Sequence, residues 1–230
     1  MMQELTSSPL FGISLTLVAY WIGTAIQKKT NLVICNGMLI AVVLVIAVLV
    51  GFQIPYENYY AGGSIINLFL GPATACLAVS IYTKFDLLKK YWLPVLVGCT
   101  VGVVTSVGCV YGLCRLFGLG RDMTMSLLPK SVTTPIAAAV AGGHGGIVSV
   151  AVAAVCFTGI LGNLCAPLMI RVFRVKNPLA AGLSIGACSH AMGTAKALEL
   201  GETQGAMSGL AIGLCGLITS LLSLAFDLLP

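Results

Sequence analysis

Long stretches of this chain carry no charged side chain: Met38 to Phe52, Tyr91 to Cys114 and Gly145 to Ile170. A helix needs roughly 20 mostly apolar residues to cross a bilayer. The rest of the sequence does not dilute this signal, since only 8% of the 230 residues are charged and 58% are hydrophobic. A soluble domain carries about a quarter charged residues, so this chain has too little charge to coat a water-facing surface. The reading is an all-α polytopic membrane protein with about six to eight transmembrane segments. A single transmembrane domain is expected over 1–230. Its parts are four N-terminal helices over 1–118, a first broken-helix repeat over 119–176 and a second, inverted repeat over 177–230.

Composition also excludes several function classes. The net charge of +5 would favour nucleic acid in a soluble protein. Here the basic residues sit beside the ends of apolar runs, where they set orientation, and no nucleic-acid partner is expected. The nine cysteines nearly all lie inside apolar segments, with no CxxC and no Cys/His cluster of metal-ligand spacing. They read as small apolar side chains, and neither a metal nor another cofactor is expected. No nucleophile elbow, H-E-x-x-H or phosphate-binding glycine loop occurs, so an enzyme is not expected. Only Glu4 is charged ahead of the first apolar run, which lacks the basic start of a cleavable signal. The first span, about Pro9 to Ile26, is expected to remain.

Basic residues thread the chain. The first span ends at Lys28-Lys29, the second runs from Leu32 to Gln53, and the loop Ile54 to Tyr60 carries no Lys or Arg. The third span, Ser64 to Tyr82, is followed by Lys84, Lys89 and Lys90. The positive-inside rule places these lysines in the cytoplasm. The fourth span, Tyr91 to Phe117, leads back out. The next cluster, Arg171, Arg174 and Lys176, falls in the cytoplasm only if the segment around Met123 to Gly142 dips in and returns on the same side. Arg115 and Arg121 stay outside on either threading.

That segment contains a break. Pro129-Lys130-Ser131-Val132-Thr133-Thr134-Pro135 interrupts apolar sequence with two prolines, a lysine and three hydroxyls. Proline removes a backbone donor and clashes with the preceding turn. Irregular backbone at membrane depth is tolerated only when buried in protein or facing a cavity. A second break, Ser189-His190-Ala191-Met192-Gly193-Thr194-Ala195-Lys196, can be laid over the first: Ser131 on Ser189, Pro135 on Gly193, Ala137 on Ala195. On this threading the two units start on opposite sides, which makes them inverted repeats. Paired interruptions in two such repeats point to a transporter binding site. Gly71-Pro72-Ala73-Thr74-Ala75 is a weaker echo that a simple proline kink explains.

The candidate substrate-binding residues are Lys130, Ser131, Thr133, Thr134 and Pro135 in the first break. In the second they are Ser189, His190, Gly193, Thr194 and Lys196. A lysine at membrane depth is costly and usually functional. Pro135 suits a first helical turn with Thr134 as its N-cap, and the positive end of that helix attracts an anion. The competing reading is a snorkelling lysine ahead of an ordinary capped helix. Lys196 and Glu199 are i,i+3 and can pair, as a structural pair or with Glu199 as a coupling group. Gly201, Gly205, Gly209 and Gly213 form a small-residue stripe that reads as packing.

Two stretches, Ser126-Leu127-Leu128-Pro129-Lys130-Ser131-Val132-Thr133-Thr134-Pro135-Ile136-Ala137 and Ala187 to Glu202, resemble motifs of the LrgB/CidB (YohK-like) family of bacterial inner-membrane proteins, as does Leu70-Gly71-Pro72-Ala73-Thr74. Ala141-Gly142-Gly143-His144 is more glycine-rich than the family's usual stretch. The resemblance implies a multi-pass protein of the bacterial inner membrane. It implies an antiholin-like regulator of murein hydrolase activity and cell lysis, acting with a small LrgA/CidA-type membrane partner. It also implies kinship with plastid glycolate/glycerate carriers, and thus a transporter of small monocarboxylates of the glycolate, pyruvate and lactate class, ion- or proton-coupled. A homodimer fits this architecture.

Overall fold

The computed structural model describes residues 6–30, 37–69, 72, 82 and 85–228. Most of the expected third span, the Gly71–Ala75 motif apart from Pro72, and Lys84, Cys35 and Cys76 lie outside the described residues. The described chain is helical throughout, with no strand among the described residues. It divides into two compact units, Met1–Ala73 and Thr74–Pro230.

The first unit holds α1 (Pro9–Thr30), α2 (Gly37–Gly51) and α3 (Tyr56–Asn67). Glycine sets their spacing. A Cβ on Gly12 would strike the Tyr59 carbonyl, and one on Gly23 would strike the Gly37 carbonyl. The charge-poor stretch expected as a loop over 54–60 is instead mostly the start of α3. Pro55 opens it with φ −57° and ψ 139°, and Tyr59 on its first turns meets Thr16 Oγ1 of α1 at 3.0 Å.

The second unit holds α4 (Phe85–Lys90), α5 (Trp92–Leu116), α6 (Arg121–Leu127), α7 (Thr134–Gly143), α8 (Val148–Val172), α9 (Pro178–Leu200) and α10 (Glu202–Ser223), then a 3-10 turn at Phe226–Leu228. α1, α5, α8 and α10 are long and apolar enough to cross a membrane. Their outward faces carry exposed Trp21, Val101, Phe157 and Leu221. Apolar surface of this extent is covered by lipid in a folded protein, so the chain is a multi-pass membrane protein. Half of the apolar window of α10 is buried, against about a fifth of α5 and α8. α10 is therefore the axis of this unit.

Both sequence breaks are hairpin tips. α6 and α7 form the first hairpin. Its two ends both meet Asp227, four residues beyond α10: Asp227 Oδ1 accepts from Arg121 Nη2 at 3.0 Å, and Asp227 Oδ2 lies 3.1 Å from His144 Nδ1. The segment 121–144 thus returns to the level at which it started, as the re-entrant threading expects. α8 begins beside it, with Ile147 N donating to Ser126 Oγ at 2.7 Å.

α9 is the second hairpin, folded at His190. Its first arm, 178–189, runs alongside α10 in the same direction, Gly182 against Gln204 and Gly186 against Ser208. Its second arm, 191–200, runs back: Thr194 Oγ1 lies 2.6 Å from Ser208 Oγ, and Leu198 covers Gly205. Both arms start and finish near the N-terminal end of α10. The first hairpin starts and finishes near its C-terminal end. α10 is about 33 Å long at 1.5 Å per residue, so the hairpins enter from opposite ends and their tips meet midway. The same mapping puts Lys89, Lys90, Arg171, Arg174 and Lys176 at the end of the unit where the second hairpin starts.

The second tip is seated on α8 by glycine. A Cβ on Gly162 would occupy the space of the Ser189 side chain, whereas one on Gly209 meets nothing within 4 Å. Gly162→Ala is expected to lower stability by about 1–3 kcal/mol through overpacking. Gly209→Ala is expected to leave stability unchanged or raise it by up to about 1 kcal/mol through helix propensity. Thermal unfolding of the detergent-purified variants checks both, and equal effects would mean that the tip is not seated on Gly162.

Candidate functional site

The first tip is built by two prolines. After α6 the chain turns tightly, Lys130 N bonding Leu127 O at 3.1 Å and Val132 N bonding Pro129 O at 3.3 Å. It leaves the turn through Thr133, extended at φ −67° and ψ 151°, which is the N-cap of α7. The cap is therefore Thr133 rather than Thr134, and Pro135 sits one position deeper in the first turn. Thr133 Oγ1 makes no capping bond. It is the buried side-chain polar atom that lacks a partner among the described residues. Thr134 and Ile136 present N–H groups in a turn where an α-helix supplies no acceptor. Pro135 presents none.

Lys130 stands beside this helix end. Its Nζ lies 3.5 Å from Ser131 Oγ, at the outer limit of a hydrogen bond. No carboxylate pairs with it among the described residues. Ser131 is held in turn by Ser106 of α5, Oγ to Oγ 2.7 Å. A cavity of about 10 Å³ lies against Ser106, Ser131, Val132, Ala187 and Thr219, room for about one water.

The second tip is built differently. His190 takes φ 43° and ψ −139°, a conformation that costs a non-glycine residue of order 1–3 kcal/mol. Polar contacts hold it there. His190 Nε2 lies 3.0 Å from Val155 O of α8, Thr194 Oγ1 donates to His190 O at 3.0 Å, and Asn163 Nδ2 donates to Met192 O at 2.9 Å. Gly193 lets the arms close, since a Cβ there would lie 2.5 Å from the Ser189 Cβ.

The two tips meet at Val155. Val132 of the first packs against its side chain, and His190 of the second bonds its carbonyl. Lys130 is within electrostatic reach of His190 and Cys188. The structure thus brings Lys130, Ser131 and Thr133, with Thr134 and Pro135 beginning α7, toward Ser189 and His190. Gly193 and Thr194 shape the second tip. Lys196 and Glu199 pair with each other at 2.7 Å, further along the second arm. The Glu199 side chain is 66% exposed and that of Lys196 20%.

Ser106, Asn163 and Ser208 escaped the sequence reading. Each lies in a mostly apolar helix that holds other hydroxyl residues as well, and Asn163 is the sole amide within the 148–172 span. A lone amide is costly at membrane depth, which singles out Asn163 but not the two serines.

Residues 16–228 match the model of the LrgB-like family. The chain belongs to that family. It is 38% identical over 220 residues to "Antiholin-like protein LrgB" of Bacillus subtilis (strain 168), covering 95% of each chain. It is 37% identical over 215 residues to the protein of the same name from Bacillus mycoides (strain KBAB4), covering 93% of this chain and 94% of the relative. A Bacillus cereus (strain B4264) protein of that name is 36% identical over the same coverage. No solved structure matches the LrgB-like chain significantly.

The strain at His190 makes a prediction. His190→Gly loses the bond to Val155 O but relieves the positive φ. His190→Ala loses the bond and keeps the strain. The alanine variant is expected to be less stable than the glycine variant by about 1 kcal/mol. Thermal unfolding in detergent measures the difference, and the opposite order would refute a strained tip.

Proposed function

We propose that this LrgB-like protein transports small monocarboxylates of the glycolate, pyruvate and lactate class across the bacterial inner membrane by ion- or proton-coupled alternating access. The observation that carries this reading is the unfinished first tip: a lysine with no counter-ion among the described residues beside a helix N-terminus whose buried threonine hydroxyl has no partner. A carboxylate completes both. Its oxygens accept from Thr133 Oγ1 and the first-turn N–H groups of α7, and its charge offsets Lys130. Ser131 steadies Lys130, and His190 and Ser189 face the solute from the other tip. The two opposed hairpins, each followed by a long span, form an inverted repeat, the arrangement in which broken helices bracket a midplane site. The Lys196–Glu199 pair supplies a carboxylate for proton coupling. The end carrying Lys89, Lys90, Arg171, Arg174 and Lys176 faces the cytoplasm.

The names of the relatives favour a second reading, an antiholin-like regulator that controls murein hydrolase activity and lysis with a small LrgA/CidA-type membrane partner. Gly209, open to the surface of α10, offers such a partner, or a second copy, a place for close helix approach.

Proteoliposomes containing only this chain separate the two readings. Labelled pyruvate, lactate or glycolate is expected to accumulate under a pH gradient. Lys130→Ala and Thr133→Val are each expected to reduce uptake at limiting solute by roughly tenfold or more, as loss of a hydrogen bond to a charged group implies. Absence of accumulation of every acid would sink transport. Capture of a small membrane protein, lost on Gly209→Leu, would then support the regulator.

A further inference from the structure

A groove of about 410 Å³ runs between α8 and the first arm of α9. Gly162 and Ile170 line its α8 wall, with Phe173 and Val175 just beyond that helix, and Ser184, Cys188 and Ser189 line the other. From Gly162 to Phe173 it extends about 16 Å along α8 at 1.5 Å per residue. One end therefore lies at the second tip. The other lies at the loop after α8, where exposed Arg174 and Lys176 flank Val175 and Arg171 is one turn away.

We infer that this groove is the access path for the solute from the Arg171, Arg174 and Lys176 end, and that Cys188 marks its inner limit. The inference rests on the monocarboxylate reading of the tips. Three observations support it. The groove is continuous with the site, because Ser189 belongs both to its wall and to the second tip, and Cys188 is exposed within it and within electrostatic reach of Lys130. The chain segment at its outer end carries three exposed cations, Arg171, Arg174 and Lys176, close in sequence to Val175, and cations near an entrance raise the local concentration of an anion. Its walls are mostly apolar with two serine hydroxyls, so a small anion is held weakly along the way and released readily at the tip, as conduction requires.

The test uses the full chain in right-side-out and inside-out membrane vesicles, with sulfonate-bearing and ammonium-bearing methanethiosulfonates. Modification at each cysteine is mapped by peptide mass. Cys188 is expected to react only when the reagent contacts the Arg174 end, and faster with the anionic reagent. Lys130→Ala should reduce the anionic-to-cationic rate ratio roughly tenfold. Millimolar pyruvate, lactate or glycolate should slow the reaction in the unsubstituted chain.

Reaction of Cys188 with a bilayer-soluble maleimide alone would show a lipid-filled groove and overturn the proposal. So would reaction from the opposite face. Unprotected reaction in vesicles that still take up a carboxylate would mean that the solute uses another route. Face-specific, charge-selective reaction without any uptake would leave the access path standing and remove monocarboxylate transport instead.

Discussion

A backbone carbonyl or N–H freed at the centre of a bilayer has no water to bond, and this chain frees several at each of two tips. The fold depends on how they are satisfied. At the second tip a histidine, a threonine and an asparagine meet backbone carbonyls, and the Thr194 hydroxyl also meets Ser208 of α10. Those side chains come from α8, α9 and α10, so the tip exists only when the three helices are packed. The glycines follow from the same need. Gly162, Gly182 and Gly186 bring backbone to within reach of these bonds, and any Cβ there would collide.

Much of this was legible in the sequence because it is written in residue types that bilayers penalise. Prolines 129 and 135 and the lysine between them have no place inside a spanning helix, which located the first tip and its re-entrant course. The match of Ser131 with Ser189 puts Val132 opposite His190, and these are the two residues that meet Val155. The cap was misplaced by one residue because Thr133 and Thr134 are chemically identical neighbours, and only the backbone angles separate them. The start of α3 was missed because a charge-poor stretch after Pro55 reads equally as a loop or as a first turn. Ser106 and Ser208 were invisible as partners, since their roles depend on which helices cross at that depth.

Gly205 and Gly209 show how far a pattern can be trusted. Four-residue spacing on α10 predicts a packing face. Gly205 is indeed covered by Leu198, yet Gly209, one turn on, meets nothing within 4 Å. A small-residue stripe records where close approach is permitted, not which surface uses it. The stripe alone therefore did not separate an internal seam from a place for another helix.

The two tips differ in a way that bears on mechanism. The second has the carbonyls of His190 and Met192 bonded and its strained residue held to α8. The first retains an unpartnered hydroxyl and a lysine whose nearest hydrogen-bonding neighbour is a serine at 3.5 Å. Its hairpin is tied at the base through Asp227, but that ion pair with Arg121 is exposed on both sides, 54% and 62%, and such pairs contribute little. On the transport reading, an anion binding at the first tip stabilises a hairpin that is otherwise incompletely satisfied, while the second tip serves as the fixed wall. Differential affinity of this kind is what allows a solute to shift a conformational equilibrium. It places the moving part at the first hairpin, on the end of the site opposite the groove.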